Sequence, residues 1–435
     1  MSEFLLPGAM AIVVLSGILA GYRVGMVLAG SAALFILISD LPIAFFNLLV
    51  SRVYANVLSN WLLVAVPMFI FMGLLLELSG VAERSLKAAQ RAVGGSAAGM
   101  GLSVLAISVL LAASSGIVGA SVVLLTMLAL PRLTEAGFDK QTAAGLTAAS
   151  GTLAILIPPS VMLIVLADQL QVPVPDMFTA ALVPGALLVI AYGLFTVWRA
   201  RKLPPLATNE KISVWQLIID LGPLVVLVVA VLGSILGGIA TPTEASGLGA
   251  LGAIFITLIY GRFNINNTME AARKTVVTTS MVLFVMIGAT CFSAVFKGIG
   301  GDDMVETGVM AFGTEPITVL TVLMVSVFLL GFFLDWLEIS LILLPLFIPI
   351  VSGLDFGNGL AGTELLVWFG ILVGVNLQTS FLTPPFGFSL FYLKGAAGDS
   401  VQTTEIYRGV VPFIALQLFI LLLLIIFPRL VTGMI

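Results

Sequence analysis

The side chains available for chemistry in this 435-residue chain are hydroxyls, carboxylates and a few amides, for it has no histidine and a single cysteine, Cys291. Imidazole acid–base catalysis, imidazole metal ligation, histidine proton relays and an intrachain disulfide are thereby excluded. The remaining polar groups gather at two places. In ASGTLAILIPPSVML (149–163), Ser150, Gly151 and Thr152 precede Pro158-Pro159. In NLQTSFLTPPFGFSL (376–390), Asn376, Gln378, Thr379, Ser380 and Thr383 precede Pro384-Pro385. A proline has no N–H, and the residue ahead of it is pushed out of the α region. Each Pro-Pro pair therefore opens the backbone of an apolar segment. Freed carbonyls and N–H groups at membrane depth are tolerated only where they line a protein-buried or wet cavity. Two interrupted apolar segments in matching positions of two halves point to a secondary-transporter binding site.

The elements that hold these breaks are membrane spans. The chain is 60% hydrophobic and 9% charged, with a mean hydropathy of +1.21; soluble domains average about 25% charged residues. This is a polytopic all-α membrane protein. A net charge of −4 with no basic stripe excludes nucleic acid as a partner. The N-terminus carries Glu3 where a signal peptide needs a basic region, so it reads as the first span. Apolar runs place spans at 4–20, 24–40, 61–79, 177–198, 215–239, 244–260, 275–296 and 406–427. Two longer stretches, 99–131 and 317–351, are interrupted at Ser114-Ser115-Gly116 and at 334–340, and read as re-entrant hairpins. The broken segments are 141–168 and 363–393, and 298–316 reads as an acidic, Gly-rich connection. Trp61, Trp198, Trp215 and Trp368 lie near span ends and read as an aromatic belt.

Basic residues set the orientation. Arg23, the amphipathic piece 83–91, Arg132, Lys140, the loop 199–211, Arg262, Arg273 and Lys274 are expected on the cytoplasmic side, and the acidic connections 298–316 and 352–364 outside. The first hairpin then enters from the cytoplasm, the second from outside, and the N-terminus is periplasmic. The halves also match in sequence: GMVLAGSAALFILI (25–38) with GLGALGAIFITLI (247–259), FIFMGLLLELSG (69–80) with FVMIGATCFSAV (284–295), Pro131 with Pro349, IPPS (157–160) with TPPF (383–386), VPGALL (183–188) with VPFIAL (411–416). Their shared order is that of an inverted repeat.

With GTLAILIPPS, TPTEASGLGA (241–250), GFFLDWLEISLILLPLF (331–347) and NLQTSFLTPPFG in place, essentially the whole chain resembles the large membrane subunit (DctM or SiaM type) of tripartite ATP-independent periplasmic, or TRAP, transporters. The Asp-Trp-Leu-Glu hairpin tip is similar to the mannitol/chloroaromatic branch. The resemblance implies a sodium-coupled secondary importer of a small organic anion, working without ATP in the bacterial inner membrane. It implies a periplasmic substrate-binding protein and a small four-helix membrane subunit as partners, the latter expected as a separate chain. It also implies an elevator in which hairpins and broken helices move against the other spans. On that basis 1–95 and 199–297 are the scaffold with the linker, and 96–198 and 298–435 the two halves of the transport domain.

Read with the resemblance, Ser114, Ser115 and Gly116 at the first tip, with Ser150, Gly151, Thr152, Ala154 and Pro158, are candidates to coordinate Na⁺, a hard cation suited to neutral oxygens. Close packing of small residues is the plainer alternative. Thr379, Ser380, Thr383 and Phe386 form the symmetric candidate, since open helix C-termini attract cations. Asn376 and Gln378 join them as substrate or coupling candidates. Asp335 and Glu338 are acids in an apolar hairpin, where a carboxylate is costly and points to function, unless the tip reaches water. Their spacing could place both on one helical face. Glu244 either neutralises a cation or, with Thr241, caps a helix. Lys297 either snorkels or attracts the anionic solute, and Cys291 reads as a small buried residue. A channel, a carboxylate-based membrane enzyme, and a proton-coupled or binding-protein-independent carrier of the same superfamily are the competing functions.

Overall fold

A chain this apolar can satisfy its backbone in a bilayer only as helix. The computed structural model describes residues 4–92, 96–115, 118–204, 213–357 and 359–435. Helices α1 (Leu5–Leu19), α2 (Val24–Ile38) and the short α3 (Phe45–Val53) come first. A π-helical turn at Tyr54–Leu58 and a 3-10 turn at Trp61–Val64 lead into α4 (Ala65–Leu78), followed by α5 (Val81–Ala92). Helices α6 (Ala97–Ser115) and α7 (Val118–Glu135) are the arms of the first hairpin. The first broken segment is α8 (Lys140–Thr152), a 3-10 turn at Leu153–Ile155 and α9 (Val161–Leu170), and α10 (Val174–Ala200) closes the half.

The second half repeats the plan with α11 (Val214–Leu236), α12 (Pro242–Ile259), α13 (Ile265–Gly298) and α14 (Gly301–Met310). The second hairpin is α15 (Pro316–Leu330) against α16 (Trp336–Ile342) and α17 (Leu344–Ser352). The second broken segment is α18 (Gly362–Leu382) and α19 (Phe388–Ala397), followed by α20 (Thr403–Ile426) and the terminal turn α21 (Arg429–Thr432). Eight helices among the described residues are long and apolar enough to cross a membrane.

The helices pack in two groups. One is built on α2, α4, α12 and α13, with α11 against α12. Here Gly25 and Gly288 let α2 and α13 meet backbone to backbone. The other joins the hairpins, both broken segments, α10 and α20. Its tightest crossing is α8 on α20, where a Cβ on Gly145 would strike the Gly409 carbonyl and one on Gly409 the Gln141 carbonyl. In lipid, packing rather than hydrophobicity holds helices together, so such small-residue crossings carry much of the association. The amphipathic α5 is tied to the first group: Arg84 pairs with Asp220 of α11 and lies 4.4 Å from the Tyr260 ring centroid.

Five sequence expectations need correction. The connection 298–316 contains α14, because Gly300, in the left-handed region, starts a new helix. Helix α13 begins ten residues before its apolar run, at an Asn264 cap, and its polar first turns extend the span. The second hairpin turns at 331–335 rather than across 334–340: Asp335 caps α16, and Glu338 lies within that helix. Trp368 is not in an aromatic belt; it is buried in α18 and its indole N–H donates to the Leu424 carbonyl at 3.0 Å. Trp61, Trp198 and Trp215 are exposed, as a belt requires. Cys291 is half-buried rather than buried.

Candidate functional site

The first Pro-Pro pair opens the chain where it is walled in by protein, whereas at the second Pro384 is half-buried and Pro385 and Phe386 are exposed. Residues 153–156 and 158–160 are buried, so the freed carbonyls after α8 face neighbouring helices rather than lipid. One of them, Ile155, accepts the Ser160 hydroxyl at 2.7 Å. In the second break the Phe381 carbonyl accepts the Ser389 hydroxyl at 2.6 Å. Ile155 and Phe381 have the same separation as Pro158 and Pro384, so the two breaks use one hydrogen-bonding solution twice.

Each break abuts its own hairpin. Gly151 sits so close to Val122 of α7 that no larger residue fits, and Gly331, at the turn of the second hairpin, sits in the same way against Ser380. Phe386 lies against Phe333 of that turn, ring centroids 5.3 Å apart and planes tilted by 40°. The second break thus meets the turn of its hairpin, and the first meets the α7 arm of its own. Gly116 lies outside the described residues, as do the side chains of Ser114 and Ser115, whose backbone ends α6.

The hydroxyls fit a hard cation. Thr152 donates to the Ala149 carbonyl at 2.8 Å, Thr379 to Val375 at 2.8 Å, Ser380 to Leu377 at 3.0 Å and Thr383 to Thr379 at 2.7 Å. Each hydroxyl proton is thus directed into its helix, which leaves oxygen lone pairs free to accept. Ser150 is fully buried and its Oγ has no hydrogen-bond partner, which marks an unmet polar group at the first break. Ala154 and Pro158 are buried beside it and offer backbone carbonyls. Among the described residues no three His, Cys, Asp or Glu side chains come together as a metal cluster.

The breaks also touch each other. Gln378 Nε2 donates to Thr152 Oγ1 at 3.3 Å, across 226 residues. The same spacing separates Pro158 from Pro384, so Thr152 and Gln378 occupy equivalent positions of the repeat. A residue bonded to its own repeat mate lies on the pseudo-two-fold axis. Tyr192 of α10 lies beside Gln378 and accepts from Gln417 Nε2 of α20 at 2.7 Å, extending the bridge over four helices. Tyr192 and Gln417 carried no sequence signal beyond being polar in apolar runs. Asn376, by contrast, faces away from the break and donates to the Met324 carbonyl of α15 at 2.6 Å, which fastens α18 to the hairpin.

Asp335 Oδ1 accepts the Trp336 N–H at 2.8 Å, while Glu338, one turn on, is buried with an unpartnered Oε2. Tyr392 of α19 packs over Gly119 of the first hairpin and lies within electrostatic reach of Asp335. The two hairpin ends therefore converge on one aromatic side chain that sequence reading did not single out. Glu244 is remote from all this. Its carboxylate accepts the Thr241 N–H at 2.8 Å and the Thr241 hydroxyl at 2.9 Å, which makes it a capping-box residue. Lys297 lines an outer cavity of about 770 Å³ between α13 and the second hairpin, and donates to the Pro345 carbonyl at 2.9 Å. A second cavity of about 660 Å³ brings Ala120 of the first hairpin to Arg273 and Lys274 of α13. Arg273 and Lys274 of this second cavity are among the residues expected on the cytoplasmic side, whereas Lys297 of the first lies at the expected outer end of α13.

Comparison with known proteins adds the family. The profile described as tripartite ATP-independent periplasmic transporter, DctM component, matches residues 10–430. The isethionate TRAP transporter permease protein DctMQ of Oleidesulfovibrio alaskensis is 28% identical over 92% of this chain, and the chain spans 61% of that relative's length. The C4-dicarboxylate TRAP transporter large permease protein DctM of Pseudomonas aeruginosa is 28% identical over 85% of both chains. Among solved structures, the YdaH transporter of Alcanivorax borkumensis matches with a TM-score of 0.60 over 87% of each chain at 15% identity, a likeness of fold alone.

Proposed function

The chain belongs to the DctM-component family of tripartite ATP-independent periplasmic transporters, and from that premise we propose that it is the large permease of a sodium-coupled importer of small organic acids. It is a multi-pass protein of the bacterial inner membrane, and a transporter rather than an enzyme. The single observation that supports the coupling is the pair of hairpin-and-break junctions. Both present buried neutral oxygens, Ser150 with Thr152 on one side and Thr379 with Ser380 on the other, the latter beside the half-buried Thr383, and they meet through the Thr152–Gln378 bridge on the axis of the repeat. Neutral oxygens at opposed helix ends suit Na⁺, and Asp335 or Glu338 can balance its charge.

In this proposal the hairpins, the broken helices, α10 and α20 move as one body against the scaffold, as an elevator. The bridge over α8, α18, α10 and α20 keeps that body rigid. A periplasmic binding protein delivers the solute, and a small four-helix membrane subunit completes the stationary part. The relatives are named for isethionate, a sulfonate, and for C4-dicarboxylates. An acid carrying a carboxylate or sulfonate is therefore the substrate class. The Asp-Trp-Leu-Glu tip alone carries the likeness to the mannitol/chloroaromatic branch, and no substrate is taken from it.

The test is uptake in vesicles containing the chain with its partner proteins. An inward Na⁺ gradient should drive accumulation of the solute that the binding protein holds. Equal uptake under a proton gradient with choline in place of Na⁺ would establish the proton-coupled alternative.

A further inference from the structure

The outer cavity has a charge distribution that the proposed cation sites do not use. Lys297 ends α13 on one wall, and Arg52 projects from α3 beside it. Lys297 spends one N–H on the Pro345 carbonyl, which leaves two. Arg52 makes no hydrogen bond or ion pair among the described residues. The cavity's one acid, Asp168, does not neutralise either cation: its carboxylate is held by Asn60 Nδ2 at 2.6 Å and Gln169 Nε2 at 3.0 Å. Two cations and one amide-bound carboxylate leave the cavity net positive. Asn56 and Gln171 add neutral hydrogen-bonding groups to its lining.

This positive cavity lies in an otherwise acidic outer face. The connections assigned to that side carry Asp302, Asp303, Glu306, Glu315, Asp355 and Glu364. Those carboxylates disfavour an anion on the surrounding face, and a cleft of net opposite charge concentrates its counter-ion by roughly tenfold or more. A cavity of about 770 Å³ also lies within the range of small-molecule sites. Its walls come from both helix groups, α3 and α13 from one and α9, α16 and α17 from the other. Snorkelling explains Lys297 alone, but not why a second cation from a different element shares the same space.

We propose that this outer cavity is a receiving site for the anionic head of the solute, a carboxylate or sulfonate, held by Lys297 and Arg52 before the solute reaches the hairpin ends. The inference rests on the organic-acid reading above and deepens it.

The test uses reagent chemistry rather than turnover. Cys291 is replaced by alanine and Ser293, on the cavity wall, by cysteine. The full-length protein is then labelled in vesicles of neutral phosphatidylcholine with a sulfonate-bearing and an ammonium-bearing methanethiosulfonate of similar size. With every rate divided by that reagent's rate with a small free thiol in solution, the sulfonate reagent should react roughly tenfold faster. Adding Arg52→Gln and Lys297→Gln should erase that preference, whereas Lys297→Arg should retain it and show that the fold is intact. Millimolar succinate should protect the cysteine only while both cations are present. Protection that instead requires anionic lipid in the vesicles would mark a lipid headgroup site and overturn the proposal. So would equal rates, faster ammonium labelling, or a preference that survives loss of both cations. Because labelling needs no transport, these outcomes leave the carrier reading to its own uptake assay.

Discussion

Replacing Asp335 by asparagine separates the two roles its position permits. Its Oδ1 accepts the Trp336 N–H at 2.8 Å and starts α16. Asparagine caps a helix about as well as aspartate, whereas alanine at such a position costs about 1 kcal/mol. Asp335→Asn therefore removes the charge and keeps the cap, while Asp335→Ala removes both. If the carboxylate balances a cation held at the second break, its worth follows from Coulomb's law. At about 6 Å and an effective dielectric of about 20, the attraction is about 3 kcal/mol, or roughly a hundredfold in affinity. Water at the hairpin end lowers this, so a loss of at least tenfold, about 1.4 kcal/mol, is expected. The assay is the initial uptake rate over a series of Na⁺ concentrations, beside a count of protein in the membrane. Asparagine should raise the Na⁺ requirement with normal insertion, and alanine should in addition lower thermal stability. Wild-type uptake by the asparagine variant at every Na⁺ concentration, with only alanine impaired, would reduce Asp335 to a helix cap.

Ser150→Ala and Thr152→Ala should each raise the Na⁺ concentration for half-maximal uptake about tenfold, the worth of one neutral oxygen ligand at about 1–2 kcal/mol; unchanged Na⁺ curves in both would move the first cation site elsewhere. Gln378→Leu removes the bridge between the breaks and should lower unfolding stability in detergent by about 1–3 kcal/mol, because buried polar groups lose their partner. Gly331→Ala drives a methyl group into Ser380 and should depress uptake without loss of expression; normal rates would show that the tip need not seat against the break. Glu244→Ala should lower the thermal unfolding midpoint slightly through loss of its capping box and leave the Na⁺ dependence unmoved.

Much of this arrangement is legible in local chemistry. A Pro-Pro pair breaks a helix whatever surrounds it, so both breaks could be placed from the sequence. Apolar length sets a span, so the hairpin arms and long helices were expected close to where they lie. Segments that are helical without being apolar gave no such signal. Helix α14 and the polar first turns of α13, the latter begun by the Asn264 cap, are of this kind, while the apolar α3 bearing Arg52 is too short to read as a span. A count of apolar residues passes over them, and with them half of the outer cavity's positive charge.

The sequence by itself determined that this is an all-helical membrane protein with two halves of one plan, broken twice at equivalent places, whose chemistry rests on hydroxyls and carboxylates. It also contained the 226-residue spacing of the repeat. Tertiary structure alone decided that the axis relating the halves runs through Thr152 and Gln378, so that repeat mates become partners. It also decided that Trp368 turns inward to Leu424, and that Arg52 and Lys297, 245 positions apart, share one cavity. The physical reason is range: backbone opening and partition into lipid act on a residue and its immediate neighbours, whereas a contact across the bundle depends on how every helix between the two residues has packed.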